Sequence, residues 1–304
     1  MHKVGRSILA AVALTAVIGG AAGCRAENGP SGTEAGASPS ATPRPAVSPA
    51  PGDHTLALDW AGVERSWLLH APPGYRPGTP VPLVVALHGR PQSTQNLREI
   101  SGLDGVADKN GFLVAYPNGI NDGWSALSCC GEVDDVGFIR ALVDQMVTTW
   151  SVDPTRVYAT GFSNGAEMSL KLGVEAADVF AAVAPVSGGF RGTRPASDDA
   201  YKPSRPVSMI TFIGYDDRIA EGVYAGLARW QRNLGCTVGE PAWVDKARTV
   251  NRTVSTCADG SEVVDYTVNG MGHAWPSSTG YPAAVDATVA MWEFFAAHPR
   301  GVRS

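Results

Sequence analysis

The 304-residue chain is poor in charge: only 17% of its residues are charged, and acidic residues outnumber basic ones by 29 to 24. A protein that binds nucleic acid electrostatically shows a basic face, so this balance argues against nucleic acid as a partner. Long apolar runs are also missing beyond the extreme N-terminus, which excludes a protein that crosses the membrane several times. No C-x-x-C or H-E-x-x-H spacing and no phosphate-binding glycine loop occurs, so we expect no metal and no cofactor.

Apolar residues are plentiful, at 44% of the chain, which is typical of a folded globular protein. The 35 glycines and 22 prolines indicate many turns and a flexible segment. Residues 24–53 consist mostly of Ala, Pro, Ser, Gly and Thr, a composition that cannot bury a core. We therefore expect a flexible tether that precedes one domain over residues 54–304.

Residues 1–23 have the pattern of a secretory signal peptide, a short basic start followed by an uncharged apolar stretch. An uncleaved membrane anchor is the alternative, although the stretch is rich in Ala and Gly and short for a spanning helix. Small residues directly precede Cys24, which resembles the lipobox of bacterial lipoproteins, but Ala21 stands where Leu is usual. Lipidation of Cys24 would leave an even four of the five cysteines. We expect an extracellular protein, held at the membrane only through this lipid or released.

Apolar strands alternate with amphipathic helices along the rest of the chain. This order predicts an α/β fold, with a mostly parallel sheet that helices cover on both faces. The predicted strands are residues 54–59, 63–71, 82–87, 112–116, 156–160, 180–186, 207–213 and 263–268, and the predicted helices are residues 136–150, 164–173, 222–234 and 283–297. Asp134 and Asp135 precede the first of these helices, where a carboxylate can cap free backbone N–H groups.

Residues 161–165 (GFSNG) have the form G-x-S-x-G and lie between a predicted strand and a predicted helix. A tight turn between strand and helix lifts a serine hydroxyl above the sheet, and the glycines allow the close backbone approach. Ser163 is therefore the candidate nucleophile. The alternative is a glycine-rich turn in which the serine is incidental.

A serine nucleophile needs a histidine base that a carboxylate orients. In α/β hydrolases the acid and then the base follow the serine, and only His273 and His298 come after Ser163. His273 lies in a loop after a strand, whereas His298 ends the last helix and is expected to cap it or face solvent. Asp216 and Asp217 follow the strand over residues 207–213, so both are candidate acids, and one of them is expected only to cap the next helix.

The strand over residues 82–87 runs into His88-Gly89-Arg90-Pro91. A backbone N–H from this loop and the backbone N–H of Asn164 can together form an oxyanion hole. Pro91 has no N–H, so Arg90 is the expected donor. His88 is expected to shape the loop rather than to act as the base.

Four segments in this order, LVVALHG, TGFSNG, CCG…DDVGFI and GMGHAWP, resemble the polyhydroxybutyrate depolymerase-like and feruloyl esterase-like esterases. These are relatives of carbohydrate esterase family 1 with an α/β-hydrolase fold. The resemblance covers about residues 60–298. It implies a secreted serine esterase with Ser163 as nucleophile and His273 as base. Residues 213–217 (IGYDD) match the family's His-Gly-Thr-Ala-Asp stretch, which points to Asp217, but three of the five residues differ and Asp216 remains a reserve.

The substrate side of the site is less defined by the resemblance. Arg90 stands where relatives have a small residue or Cys. Trp124 and Trp275 flank the motifs and are candidates for an aromatic wall that binds a phenolic or sugar-linked ester, with core packing as the alternative. The chain ends soon after its last helix, without the polymer-adsorbing domain usual in depolymerases of solid polymer, so soluble esters or oligomers are expected.

Four cysteines remain if Cys24 carries lipid, and four cysteines allow three connectivities. Cys236 and Cys257 flank a predicted hairpin, and the resemblance also suggests that they pair. Cys129 and Cys130 are adjacent, and either a bridge between them or separate partners is open. We favour pairs 129–130 and 236–257.

The resulting hypothesis is a monomeric, secreted serine esterase that acts on hydroxyalkanoate oligomers or on feruloyl or acyl-carbohydrate esters. An acyltransferase of the cell envelope with the same fold would differ only in the acceptor, an alcohol instead of water. A peptidase of the prolyl-oligopeptidase type is disfavoured because no propeller domain is evident. A non-catalytic surface-binding lipoprotein is the alternative from another class, and the intact candidate triad argues against it.

Overall fold

This computed structural model describes residues 42–43, 47–191 and 200–301. The expected signal peptide, Cys24 and most of the expected tether lie outside the described residues. The folded part begins ahead of residue 54, because strand β1 (Thr42–Pro43) pairs antiparallel with strand β2 (Gly52–Trp60). Strand pairing uses backbone groups, so a composition rich in Ala, Pro and Ser does not reveal it.

A twelve-stranded sheet organises the molecule. After β1 and β2 its strands are β3 Val63–Ala71, β4 Val81–Leu87, β5 Leu113–Pro117, β6 Val152–Phe162, β7 Ala182–Val186, β8 Ser208–Gly214, β9 Thr237–Val238, β10 Ala242–Trp243, β11 Val250–Thr256 and β12 Glu262–Val268. Their order across the sheet is β1-β2-β3-β5-β4-β6-β7-β8-β12-β11-β10, and β9 also pairs with β11. The six strands from β5 to β12 in this order run parallel, as expected.

Helices cover both faces of this sheet. They are α1 Thr94–Ser101, α2 Leu103–Asn110, α3 Asp135–Trp150, α4 Asn164–Glu175, α5 Ala220–Asn233 and α6 Ala287–Ala297. The side chains of β4 alternate between the two layers: Leu83 and Val85 pack with residues of α3, α4 and α5, whereas Val84 and Ala86 pack with residues of α1, α2 and α6. This period of two confirms the predicted sheet with two covered faces.

Most element boundaries match the prediction within a few residues, and the differences have local causes. Helix α6 begins at Ala287 instead of residue 283 because the Asp286 side chain accepts hydrogen bonds from the N–H groups of Thr288 and Val289. Helices α1 and α2 were not predicted, since each spans only eight residues and Gly102, with φ of 61°, separates them. Among the described residues, no helix is long and apolar enough to cross a membrane.

The parallel strands bring the candidate site together. Their carboxyl ends meet at one edge of the sheet, because parallel strands all point the same way. At this edge, the loop with Arg90 follows β4 and Ser163 follows β6. Asp217 lies just after β8, and the loop with His273 follows β12.

Candidate active site

Ser163 occupies the tight turn that was predicted between β6 and α4. Its backbone has φ of 55° and ψ of −113°, a combination that residues with a side chain rarely adopt. The Ser163 N–H donates to the carbonyl of Val186 at 3.0 Å, which fixes the turn against the neighbouring strand β7. Strain of this kind is typical of a serine nucleophile that a strand-to-helix turn presents at the edge of a sheet.

The two glycines of the motif allow the surrounding elements to approach each other. A Cβ on Gly161 would lie 2.8 Å from the carbonyl oxygen of Leu87 in β4, and a Cβ on Gly165 would run into the same oxygen. Side chains at these positions would therefore push β4 away from β6 and α4. This crowding requires glycine at both positions, which explains the G-x-S-x-G spacing in physical terms.

His273 and Asp217 form a direct hydrogen bond, with Nδ1 2.7 Å from Oδ2. The Asp217 side chain is 1% exposed and the His273 side chain 23% exposed. The other oxygen of Asp217 accepts the backbone N–H of Ile219 at 3.1 Å, which holds the carboxylate in place. Since a carboxylate accepts, Nδ1 carries the proton and Nε2 is left to receive one. Asp216 is exposed, so the geometry supports Asp217 as the acid.

Hydrogen bonds connect the loop that carries His273 to its neighbours on both sides. The backbone N–H of Asp216 donates to the carbonyl of Met271 at 3.0 Å, which joins the loop that carries Asp217 to the loop that carries His273. On the other side of His273, the carbonyl of Ala274 accepts the hydroxyl of Ser187 at 2.6 Å. Ser187 directly follows β7 and was not predicted as a site residue, because its role depends on a partner 87 positions away.

His273 packs against the chain segment that carries Ser163, the candidate nucleophile. Its ring packs against Phe162, the residue before Ser163, with centroids 4.9 Å apart. The hydrogen bonds of the described residues include the one between His273 and Asp217, but none between Ser163 Oγ and His273. Catalytic hydrogen bonds are often long in the absence of substrate and shorten in the complex.

Asn164 begins helix α4, so its backbone N–H is one of the four that lack a partner within the helix. Its side chain forms two hydrogen bonds with the backbone of Trp124: Oδ1 accepts the Trp124 N–H at 2.8 Å, and Nδ2 donates to the Trp124 carbonyl at 3.2 Å. The indole of Trp124 in turn donates to the carbonyl of His88 at 2.9 Å. Hydrogen bonds therefore connect the turn of the nucleophile to the loop that carries Arg90.

His88 shapes that loop, as predicted. Its Nδ1 donates to the carbonyl of Gly89 at 2.9 Å, and its Nε2 accepts the N–H of Gly119 at 3.0 Å. Burial lowers the pKa of His88, which keeps the ring neutral and able to accept. Because both nitrogens are occupied, His88 is not available as a base.

Trp124 and Trp275 are both buried, with exposures of 0% and 1%. Neither indole therefore presents a face to an open cleft, and their burial supports core packing over the expected aromatic wall. The indole N–H of Trp275 donates to the hydroxyl of Thr288 in α6 at 3.0 Å, which anchors the far end of the loop that carries His273. Sequence could not separate the two roles, because exposure depends on tertiary packing.

Two disulfides join Cys129 to Cys130 and Cys236 to Cys257, which is the expected connectivity. The first lies at the site: the Asn164 amide nitrogen is 3.6 Å from the sulfur of Cys129. The second brackets β9, β10 and β11 at the far edge of the sheet. Among the described residues, no three side chains of His, Cys, Asp or Glu converge as metal ligands would.

A cleft of about 470 Å³ opens next to Ser163. Besides the predicted residues, its lining includes a charged group that sequence reasoning missed. Glu167 accepts the N–H of Ser128 at 3.1 Å and also its hydroxyl, and its other oxygen lies 3.5 Å from Nη1 of Arg191. Burial raises the pKa of Glu167. Its position in the first turn of α4, the helix that directly follows Ser163, was the available signal.

The chain is similar to known esterases in sequence and in fold. The family profile described as Esterase PHB depolymerase matches residues 65–205. The chain is similar to putative esterase NocK from Nocardia uniformis subsp. tsuyamanensis, with 33% identity over 75% of this chain and 76% of that protein. It is also similar to feruloyl esterase C from Emericella nidulans, with 31% identity over 77% of this chain and 84% of that protein. The solved structure of acetyl xylan esterase from Aspergillus awamori covers 76% of this chain and 94% of its own, with a TM-score of 0.58 and 16% identity, and shows the α/β-hydrolase fold.

Proposed function

The chain belongs to the Esterase PHB depolymerase family, and from this premise we propose that it hydrolyses carboxylic esters through an acyl-enzyme formed on Ser163. The hydroxyl of Ser163 attacks the ester carbonyl while Nε2 of His273 takes its proton. Asp217 holds the imidazole in the required tautomer and stabilises its charged form. The protonated His273 then gives its proton to the departing alcohol, and water activated by the same imidazole releases the acid.

The backbone N–H groups of Arg90 and Asn164 are proposed to stabilise the oxyanion. The N–H of Asn164 belongs to the first turn of α4, where unpaired donors and the helix dipole favour developing negative charge. Its position is held by the hydrogen bonds between its side chain and Trp124. Arg90 supplies the second N–H from the loop that His88 holds in place.

The observation that carries this proposal is the hydrogen bond of 2.7 Å between His273 and a buried Asp217, at the same sheet edge as the strained Ser163. A histidine whose Nδ1 is held by a buried carboxylate is oriented for one task, since Nε2 alone can then exchange a proton. A glycine-rich turn with an incidental serine would not require such a partner.

We propose hydroxyalkanoate oligomers and feruloyl or acyl-carbohydrate esters as the substrate classes. The family description and the names of the similar esterases support these classes. The cleft next to Ser163 is bordered by polar groups such as Asn121, Asp122 and Ser128, which suits an oxygen-rich ester better than a long alkyl chain.

The test is the hydrolysis of methyl ferulate and of a soluble 3-hydroxybutyrate oligomer by the wild type, Ser163→Ala and Ser278→Ala. Ser278 is an exposed loop serine and serves as the matched control. We expect turnover of at least one ester that Ser163→Ala abolishes and Ser278→Ala retains, with fluorophosphonate labelling that follows the same pattern. Equal turnover in Ser163→Ala, or labelling that persists in it, would contradict the assignment.

Export to the extracellular side is proposed from the N-terminal sequence, with Cys24 as the lipid-bearing residue. This part of the chain lies outside the described residues. Cys24→Ser should move the protein from the membrane fraction to the medium. Retention of Cys24→Ser in the membrane fraction would argue for an uncleaved anchor instead.

A further inference from the structure

The side chain of Arg90 borders the cleft at Ser163. It is exposed, and its aliphatic part crosses Gly123, where a Cβ would lie only 2.6 Å from Arg90 Cδ. Its Nη1 ends 3.6 Å from the sulfur of Cys130. The absence of a side chain at Gly123 therefore gives the arginine a groove to lie in, and the guanidinium is held at the rim of the cleft.

Among the residues that the structure describes, no carboxylate neutralises the charge of Arg90. In residues 47–191 and 200–301, no carboxylate lies within 4.0 Å of its guanidinium. A disulfide sulfur is a weak acceptor and does not compensate a full positive charge. Asp122 also lines the cleft, but it forms no ion pair with Arg90 among the described residues.

The second arginine of the cleft differs in this respect. Arg191 lies 3.5 Å from Glu167, whose side chain is 4% exposed. The charge of Arg191 is thus opposed by a fixed group of the protein. Of the two arginines that line the cleft, Arg90 is the one without a carboxylate partner among the described residues, so its guanidinium is free to bind a ligand.

A guanidinium presents its N–H groups in a planar fork that matches the two oxygens of a carboxylate. The backbone N–H of the same residue is the proposed oxyanion donor, so the fork lies within one side-chain length of the scissile carbonyl. We propose that Arg90 selects esters that carry a carboxylate close to the scissile bond. This inference rests on the proposed function, and the carboxylate can belong to the acyl part or to the alcohol part of the ester.

The experiment compares two pairs of esters, each a carboxylate and its neutral amide analogue. Methyl hydrogen succinate and methyl succinamate place the group in the acyl part, and 3-acetoxypropanoate and 3-acetoxypropanamide place it in the alcohol part. For the wild type we expect kcat/KM to favour the carboxylate in one pair by about tenfold, as a charge-assisted hydrogen bond allows. Arg90→Gln should reduce this ratio to one or below.

The ratio within a pair is the readout, because the backbone N–H of Arg90 serves both members equally. Arg252→Gln is the matched control: it removes the same charge from an exposed position on β11, at the far edge of the sheet, and should keep the wild-type ratio. Raising the salt concentration should lower the wild-type ratio, because mobile ions screen exposed charges.

Equal ratios in the wild type and in Arg90→Gln for both pairs would overturn the selection by Arg90. The proposed function would still stand if the two esters that carry the neutral amide group are hydrolysed and Ser163→Ala abolishes their turnover. If none of the four esters, nor methyl ferulate, showed hydrolysis that depends on Ser163, the proposed function would fall, and the selection by Arg90 with it.

Discussion

Two histidines of this molecule contact carboxylates at nearly the same distance in different surroundings. Nδ1 of His273 lies 2.7 Å from Asp217, whose side chain is 1% exposed. Nδ1 of His70 lies 2.8 Å from Asp53 and its Nε2 lies 2.9 Å from Asp108, and these carboxylates are 43% and 42% exposed. His273 contacts one carboxylate, and its Nε2 has no hydrogen-bond partner among the described residues, whereas both ring nitrogens of His70 are hydrogen-bonded to carboxylates.

The surroundings of His70 favour its charged form. Burial lowers the pKa of His70, but its hydrogen bonds to Asp53 and Asp108 outweigh burial, and the net pKa is raised. Asp104 and Arg98 complete this group, in which Arg98 pairs with Asp53 at 2.6 Å and with Asp104. The comparison shows that a carboxylate beside histidine does not by itself indicate a base. A base also needs a free nitrogen that faces a nucleophile, and His273 lies beside Ser163.

The largest expected effect is on kcat, and it distinguishes the pair of His273 and Asp217 from the pair of His70 and Asp108. Asp217→Asn should lower kcat by on the order of 10⁴, because an asparagine no longer holds His273 in the tautomer that leaves Nε2 unprotonated. Steady-state hydrolysis of the preferred ester measures this. Asp108→Asn removes a carboxylate from the other histidine and should leave kcat close to that of the wild type.

Asp216→Asn is the nearest control, since it changes the neighbouring and exposed carboxylate. A loss in Asp216→Asn that matches the loss in Asp217→Asn would contradict the assignment of the acid. So would a near-normal rate in Asp217→Asn.

A second change tests how firmly the proposed oxyanion donor, the backbone N–H of Asn164, is positioned. Asn164→Ala keeps the backbone N–H but removes both hydrogen bonds to Trp124. A shift of about 1 Å in an oxyanion donor can cost on the order of 10² in rate, so we expect a loss of that size in kcat. Asn110→Ala, which removes a hydrogen bond at an exposed helix end, is the control and should not affect kcat. Unchanged kcat in Asn164→Ala would show that α4 alone positions the donor.

The sequence predicted those parts of the fold and site that depend on local signals. Alternation and apolar runs predicted eight of the twelve strands but not β1, β9, β10 or β11, and G-x-S-x-G placed Ser163 between β6 and α4. The candidate base followed from chain order, since of the two histidines after Ser163 only His273 lies in a loop after a strand. The family resemblance already pointed to Asp217 and kept Asp216 in reserve, and the contact of the buried Asp217 with His273 supports that prediction.

The parts that could not be predicted depend on contacts between distant residues. Trp124 lies beside the motifs in sequence, but only packing shows that its indole is buried and bonded to the carbonyl of His88. The segment DDVGFI, residues 134–139, is a second example: Asp134 caps α3 as predicted, whereas Asp135 pairs with buried Arg65 at 2.7 Å, 70 positions away. No local pattern indicates such a pair.

The smallest expected effect concerns stability and the pH at which it is lost. Because folding raises the pKa of His70, the folded state holds the proton more tightly than the unfolded chain does. The resulting stabilisation is complete below the unfolded pKa of about 6.5 and is lost as the pH rises through the higher folded pKa. We expect about 1 kcal/mol or less, since the partner carboxylates of His70 are partly exposed and screened by solvent.

Urea unfolding between pH 5.5 and 8.5 measures this for the wild type and His70→Gln. Glutamine can still donate to one carboxylate but cannot carry the charge that Asp53, Asp104 and Asp108 surround. The wild type should therefore be the more stable protein at pH 5.5, and the difference should shrink toward pH 8.5. A difference that stays constant with pH would show that folding does not raise the pKa of His70, and a difference that grows as the pH rises would show that folding lowers it. In either case the contrast with His273 would lie in the number of hydrogen bonds alone and not in charge.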